Sequence, residues 1–146
     1  MSNTTPSDTT PSGTPASGGP MTTNAAGWFE IYVQDLARAR RFYEGVLGRP
    51  LHPLPGIDML LFDQDRSRYG ASGALVSHSS VASGGNSTVI YFSCADCAEE
   101  ESRVAEFGGK VIRPKISIGQ FGFVTLVRDP DGNLIGLHSN AVDGAP

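Results

Sequence analysis

Short apolar runs alternate with polar breaks marked by glycine or proline between Trp28 and Asn140. Trp28–Val33 (WFEIYV) is aromatic and β-branched, which predicts a strand. Asp35 then offers an N-cap. Leu36, Ala39, Phe42, Tyr43, Val46 and Leu47 follow at helical spacing, and Gly48 is placed to stop the helix. Arg38, Arg40, Arg41 and Glu44 fall on the other side and are expected to be solvated. Pro50, Pro53 and Pro55 confine the extended stretch 49–55 to a sheet edge. Strands are predicted over 58–62 and 72–78, separated by a polar loop. Residues 79–87 (SSVASGGNS) have the composition of a flexible linker.

The pattern then begins again. A strand is predicted over 88–93, and Asp96 with Glu99 resembles a capping box for a helix over 98–107. Gly108 and Gly109 stop it. Three strands follow, over 110–115, 121–127 and 134–140, the last two joined by Asp129-Pro130-Asp131-Gly132. Proline sets φ in that turn, aspartate bonds locally and glycine accepts a positive φ. Each half reads as βαβββ, with Ile31-Tyr32 answering Ile90-Tyr91 at a spacing of about 60 residues. The predicted class is α+β, built from two modules at about 27–79 and 86–140.

Composition narrows the partners. The chain has 146 residues, 39% hydrophobic and 18% charged, with net charge −4. That balance gives no electrostatic reason to expect nucleic acid or an anionic membrane. No apolar run approaches the roughly 20 residues of a membrane span. Two cysteines three apart cannot make a disulfide framework, so a reducing, cytoplasmic setting is expected. Of residues 1–26, 18 are Ser, Thr, Pro or Gly, so this tail is expected to be disordered, with Met21 an alternative start. Residues 141–146 are expected to be a short C-terminal tail.

Residues 35–48 (DLARARRFYEGVLG), Gly108-Gly-Lys-Val111 and Asp129-Pro-Asp-Gly-Asn133 together resemble the vicinal oxygen chelate superfamily of glyoxalase I, bleomycin-resistance proteins and extradiol dioxygenases. The resemblance covers 27–140 and implies that the modules form curved mixed sheets around a cleft. It also implies a homodimer. Metal-dependent members bind a divalent ion through four inward side chains. Those positions fall here on Trp28, Ala74, Val89 and Gly136, none of which ligates a metal through its side chain. The chain resembles a metal-poor, glyoxalase-related branch whose last strand often reads Ile-Gly-Leu followed by an aromatic or His, as in Ile135-Gly136-Leu137-His138. No metal and no cofactor are therefore expected, and dioxygenase chemistry is disfavoured.

Two residues further along the same faces stand Glu30, Val76, Tyr91 and His138, and then Tyr32 and His78. Trp28, Tyr32, Val76, His78 and Tyr91 are the expected ligand-binding residues, and Glu30 and His138 the candidate acid/base pair. The expected activity is metal-independent binding of a small, partly aromatic or carbonyl-containing molecule. The alternative is a lyase or isomerase related to lactoylglutathione lyase, using Glu30 and His138. A shifted metal site from Glu30, His78 and His138 is disfavoured, because His78 lies roughly 13 Å along its strand from the old position. Cys94-Ala-Asp-Cys97 opens a helix as redox motifs do, but a single pair is weak evidence.

Overall fold

Asp35 starts the first helix as its composition requires: its carboxylate accepts the Arg38 N–H at 3.0 Å. At the other end Gly48 closes the helix at φ 67°. The computed structural model describes residues 23–141. The tail expected over 1–26 lies outside this range up to residue 22, as does all but the first residue of the C-terminal tail.

The elements of the first module are β1 (Trp28–Tyr32), α1 (Leu36–Leu47), β2 (Leu51–Pro53), β3 (Met59–Phe62) and β4 (Ser72–Val76). The second has β5 (Tyr91–Ser93), α2 (Cys97–Arg103), β6 (Lys110–Ser117), β7 (Phe123–Arg128) and β8 (Leu134–Ser139). Each module makes one four-stranded mixed sheet, ordered β1-β4-β3-β2 and β5-β8-β7-β6. β1 runs parallel to β4 and β5 parallel to β8, while the remaining pairs are antiparallel. The prolines at 50–55 leave β2 at the edge, as expected. No helix among the described residues is long and apolar enough to cross a membrane.

Several boundaries differ from the sequence expectation. The strand predicted from Thr88 is regular only from Tyr91, because the Asn86 side chain takes the Thr88 carbonyl at 2.6 Å. The helix predicted to Phe107 ends at Arg103 and tightens into i→i+3 bonds, Val104 N–H to Glu101 O and Gly108 N–H to Ala105 O. β6 runs on to Ser117 through Pro114. An edge position and two register shifts accommodate the missing N–H. β7 begins only at Phe123, after a 3₁₀ turn over Gly119–Phe121 and Gly122 at φ 103°.

A single apolar core crosses the two modules. Phe29, Tyr43 and Phe62 of the first meet Phe92 of the second, with ring centroids 5.5 to 6.1 Å apart. Arg103 of α2 reaches across to cover the Val46 carbonyl at 2.7 and 3.1 Å, near the end of α1 where helix carbonyls lack partners. The helix back is solvated at Arg38 and Arg41 as expected, and Arg38, Arg40 and Glu44 are also paired. Arg38 Nη2 meets Asp131 at 2.5 Å, and Arg40 bonds both Glu44 and the Leu51 carbonyl.

The turn over 129–133 does more than reverse the chain. Asp129 is only 4% exposed, and its carboxylate accepts Tyr43 O–H at 2.7 Å and three N–H groups of Asp131 and Asn133. Asn133 donates to the Tyr32 carbonyl at 3.0 Å and accepts from Gly84 N–H. Asp131 accepts from Gln34 N–H, and Gln34 holds the linker through Val81 O and Ser83 Oγ. The end of β1, the linker and the start of β8 are thus joined by one polar network.

Burial, followed by the charges of Asp129 and Asp131, holds the Tyr43 phenol well above its ordinary value of 10.0. A phenol whose pKa is higher folded than unfolded stabilises the fold fully below about pH 10, and that contribution is lost as pH rises through the folded value. Folding stability should therefore fall steeply above about pH 10. In urea unfolding at a series of alkaline pH values, Tyr43→Phe should flatten that fall. An unchanged slope in the variant would assign the loss to other groups.

Candidate functional site

Side chains alternate along a strand, so each sheet has two faces. On β1, Ile31 turns to the core with Phe29 packed against it, while Trp28, Glu30 and Tyr32 turn away. On β8, Ile135 and Leu137 are core, and Gly136 and His138 share the other face. Residues of both faces, Trp28 and Glu30 of the outer one and Phe29, Phe62 and Phe92 of the core side, line a wide open groove of about 1400 Å³ where the modules meet. Trp28, Glu30, Tyr91 and His138 all border it. A smaller cavity of about 210 Å³ lies under the linker, bordered by Glu30, Tyr32, Val81, Ile90 and Asn133.

Four of the expected residues therefore come together in the groove, and Tyr32 joins Glu30 in the adjoining cavity. Val76 and His78 border neither. Val76 is buried in β4 opposite Tyr32. His78 lies past the end of that strand, with Nδ1 at 3.2 Å from Ser80 N and 2.8 Å from its hydroxyl. Sequence reasoning missed the wall formed by Arg68, Tyr69 and Gly70, and also Arg49, Ile118 and Asn140. A lone tyrosine in the polar run 63–70 was the only signal for that wall. Nothing local marks the others.

Glu30 accepts from Trp28 Nε1 at 3.3 Å and from Tyr32 O–H at 3.0 Å. The Tyr32 phenol is raised by this hydrogen bond first, then by the carboxylate charge and by desolvation. His138 Nε2 lies 2.6 Å from the Phe121 carbonyl. A carbonyl can only accept, so Nε2 carries a proton and donates, which leaves Nδ1 as the acceptor of the neutral ring. No hydrogen bond joins Glu30 to His138 among the described residues.

The four positions that the resemblance assigns to metal ligands do not fit an ion. Ala74 is fully buried and offers no donor. At Gly136 a Cβ would stand 2.2 Å from Tyr91 Cδ1 and 2.4 Å from Cε1. The Tyr91 ring thus occupies the space into which a ligand on β8 would project. Among the described residues, no three His, Cys, Asp or Glu side chains gather to hold an ion elsewhere.

The cysteine pair does not form a reactive site. Cys97 is buried at the start of α2, where its N–H donates to Ser139 Oγ at 3.2 Å. Burial, and then the nearby Glu100 carboxylate, push the Cys94 thiol up to about 12. That thiol stays protonated at neutral pH and lacks the thiolate on which redox motifs depend.

A family model described as the glyoxalase/bleomycin resistance protein/dioxygenase superfamily matches residues 25–137. No functionally curated protein matches the sequence at a significant level. Among solved structures, the fold is similar to a glyoxalase-related enzyme from Fulvimarina pelagi, with TM-score 0.64 and 19% identity over 81% of this chain and 89% of that one. A glyoxalase/bleomycin resistance protein from Albidiferax ferrireducens T118 gives 0.65 and 18% over 80% and 100%. A glyoxalase I mutant from Zea mays gives 0.60 and 23% over 78% of this chain and 46% of that longer one.

Proposed function

The chain belongs to the glyoxalase/bleomycin resistance protein/dioxygenase superfamily, and from that premise we propose that it binds a small, partly aromatic or carbonyl-containing molecule in the groove without a metal. The observation that supports this is the groove floor. Trp28 and Tyr91 border it and remain 43% and 49% exposed. Large aromatic surfaces left open in a concave site are the usual mark of a ligand pocket. The loss of ligand side chains at all four metal positions removes the chemistry that metal-dependent members use. Binding asks only for surface, whereas the acid/base alternative needs Glu30 and His138 to converge on one substrate. They stand on separate sheets, and the His138 N–H is already spent on Phe121.

Trp28 is the only tryptophan of the chain, so its fluorescence reports directly on the groove. A panel of aromatic and carbonyl metabolites should contain compounds that shift this emission saturably and raise the melting temperature. Ligand at about 100 times Kd adds roughly 2.7 kcal/mol. The bound compound should be recovered unchanged, and divalent ions should leave its affinity unaltered. A compound recovered chemically converted, with conversion lost in Glu30→Gln, would establish the enzymatic alternative instead. Ligands that stabilise the protein while leaving Trp28 emission unchanged would place binding outside the groove.

A further inference from the structure

Among the described residues, Glu30 is the one carboxylate bordering the groove that no Lys, Arg or His side chain answers. Its carboxylate receives only neutral donors, Trp28 Nε1 at 3.3 Å and Tyr32 O–H at 3.0 Å. Among the described residues no Lys, Arg or His side chain pairs with it. The groove is also bordered by two arginines, and neither pairs with Glu30. Arg68 Nε pairs with Asp65 at 3.0 Å, and Arg49 Nη2 points to the Ser93 carbonyl at 3.5 Å. Of the other two carboxylates bordering the groove, Asp63 has His52 at 2.5 Å and Glu100 has Arg103 at 3.7 Å.

Two ring faces accompany this charge. Trp28 is tied to Glu30 through its own N–H, so ring and carboxylate hold a fixed relation on one face of β1. Tyr91 lies close over Gly136, where a side chain of any size would displace it, and half its surface stays open to the groove. Rings carry negative charge on their faces, and a fixed carboxylate beside them adds to the same potential. The net charge of −4 draws cations rather than anions toward the site.

We infer that the groove selects a flat organic cation, such as an N-alkylated heteroaromatic, with Trp28 and Tyr91 against its faces and Glu30 as its counter-charge. This rests on the groove being the binding site, and the two ideas fail differently in one experiment. Three probes of similar size would be titrated calorimetrically into the full chain: N-methylquinolinium (cationic), quinoline in mildly alkaline buffer (neutral) and 2-naphthoate (anionic). The cation should bind about tenfold more tightly than quinoline, with 2-naphthoate weakest. Added salt should weaken the cation selectively. Glu30→Gln, checked for native circular dichroism, should bring the cation to within about twofold of quinoline measured in the same variant. Equal affinities for all three probes, or a preference that survives in Glu30→Gln, would overturn cation selection and leave the groove a general aromatic site. If none of the three binds or perturbs Trp28 emission, both the selection and the groove as a ligand site are overturned.

Discussion

Asp129→Ala is expected to lower folding stability by about 3–5 kcal/mol. Asp129 is 4% exposed and its carboxylate accepts four hydrogen bonds, from Tyr43 O–H, Asp131 N–H, Asn133 N–H and Asn133 Nδ2. Truncation leaves all four donors without their acceptor inside the protein. The loss reaches beyond the turn, because Tyr43 belongs to the first module and Asn133 also grips the Tyr32 carbonyl at the end of β1. In a domain of this size the melting temperature should drop by about 10–20 °C. Tyr43→Phe removes one donor and should cost about 1 kcal/mol. If Asp129 and Tyr43 act as one contact between modules, the double variant should show a coupling of at least about 0.5 kcal/mol. A melting temperature for Asp129→Ala within a degree or two of the parent would mean that the turn reforms without its carboxylate and that the aromatic core alone joins the modules.

Much of the fold can be read locally, and the reason is visible in α1. Its cap, its apolar stripe and its glycine stop all lie within 14 residues, and each bonds where the pattern places it. The repeat of βαβββ is legible for the same reason, since every element carries its own periodicity. The interface between modules is not. The contact from Tyr43 to Asp129 spans 86 residues, and that from Asn133 to Tyr32 spans 101. Nothing near Asp129 in sequence distinguishes a buried junction from an ordinary surface turn. The candidate site divides along the same line. Strand alternation put Trp28, Glu30, Tyr91 and His138 on the groove side, because that depends only on period two. Extending the same count to His78 assumed that β4 continues past Val76. It stops there, and the imidazole turns back to Ser80.

Gly136→His, which places an imidazole at the fourth position that the resemblance assigns to a metal ligand, is expected to leave the protein without bound metal and to weaken ligand binding at least about tenfold, or 1.4 kcal/mol. The first outcome follows from the other three positions. Trp28, Ala74 and Val89 supply no ligand side chain, and one imidazole falls short of the three or so protein ligands of a catalytic divalent site. The second follows from geometry. A Cβ at 136 would fall 2.2 Å from Tyr91 Cδ1 and 2.8 Å from Cγ, so the ring must swing off the strand. Tyr91 is 49% exposed and can move without tearing the core, so the cost falls on the groove rather than on the fold. Gly136→Ala should show the same loss of affinity in a milder form, with a melting temperature within a few degrees of the parent. Tyr91→Ala should weaken binding to a similar degree, and adding Gly136→Ala to it should do little more, because the ring it displaces is already gone. Calorimetric titration with quinoline and elemental analysis of the purified variants give the two readouts. Full affinity in Gly136→Ala would show that Tyr91 is not the surface on which the ligand rests. Stoichiometric metal in Gly136→His would show that the groove still assembles a coordination sphere from groups other than those four positions.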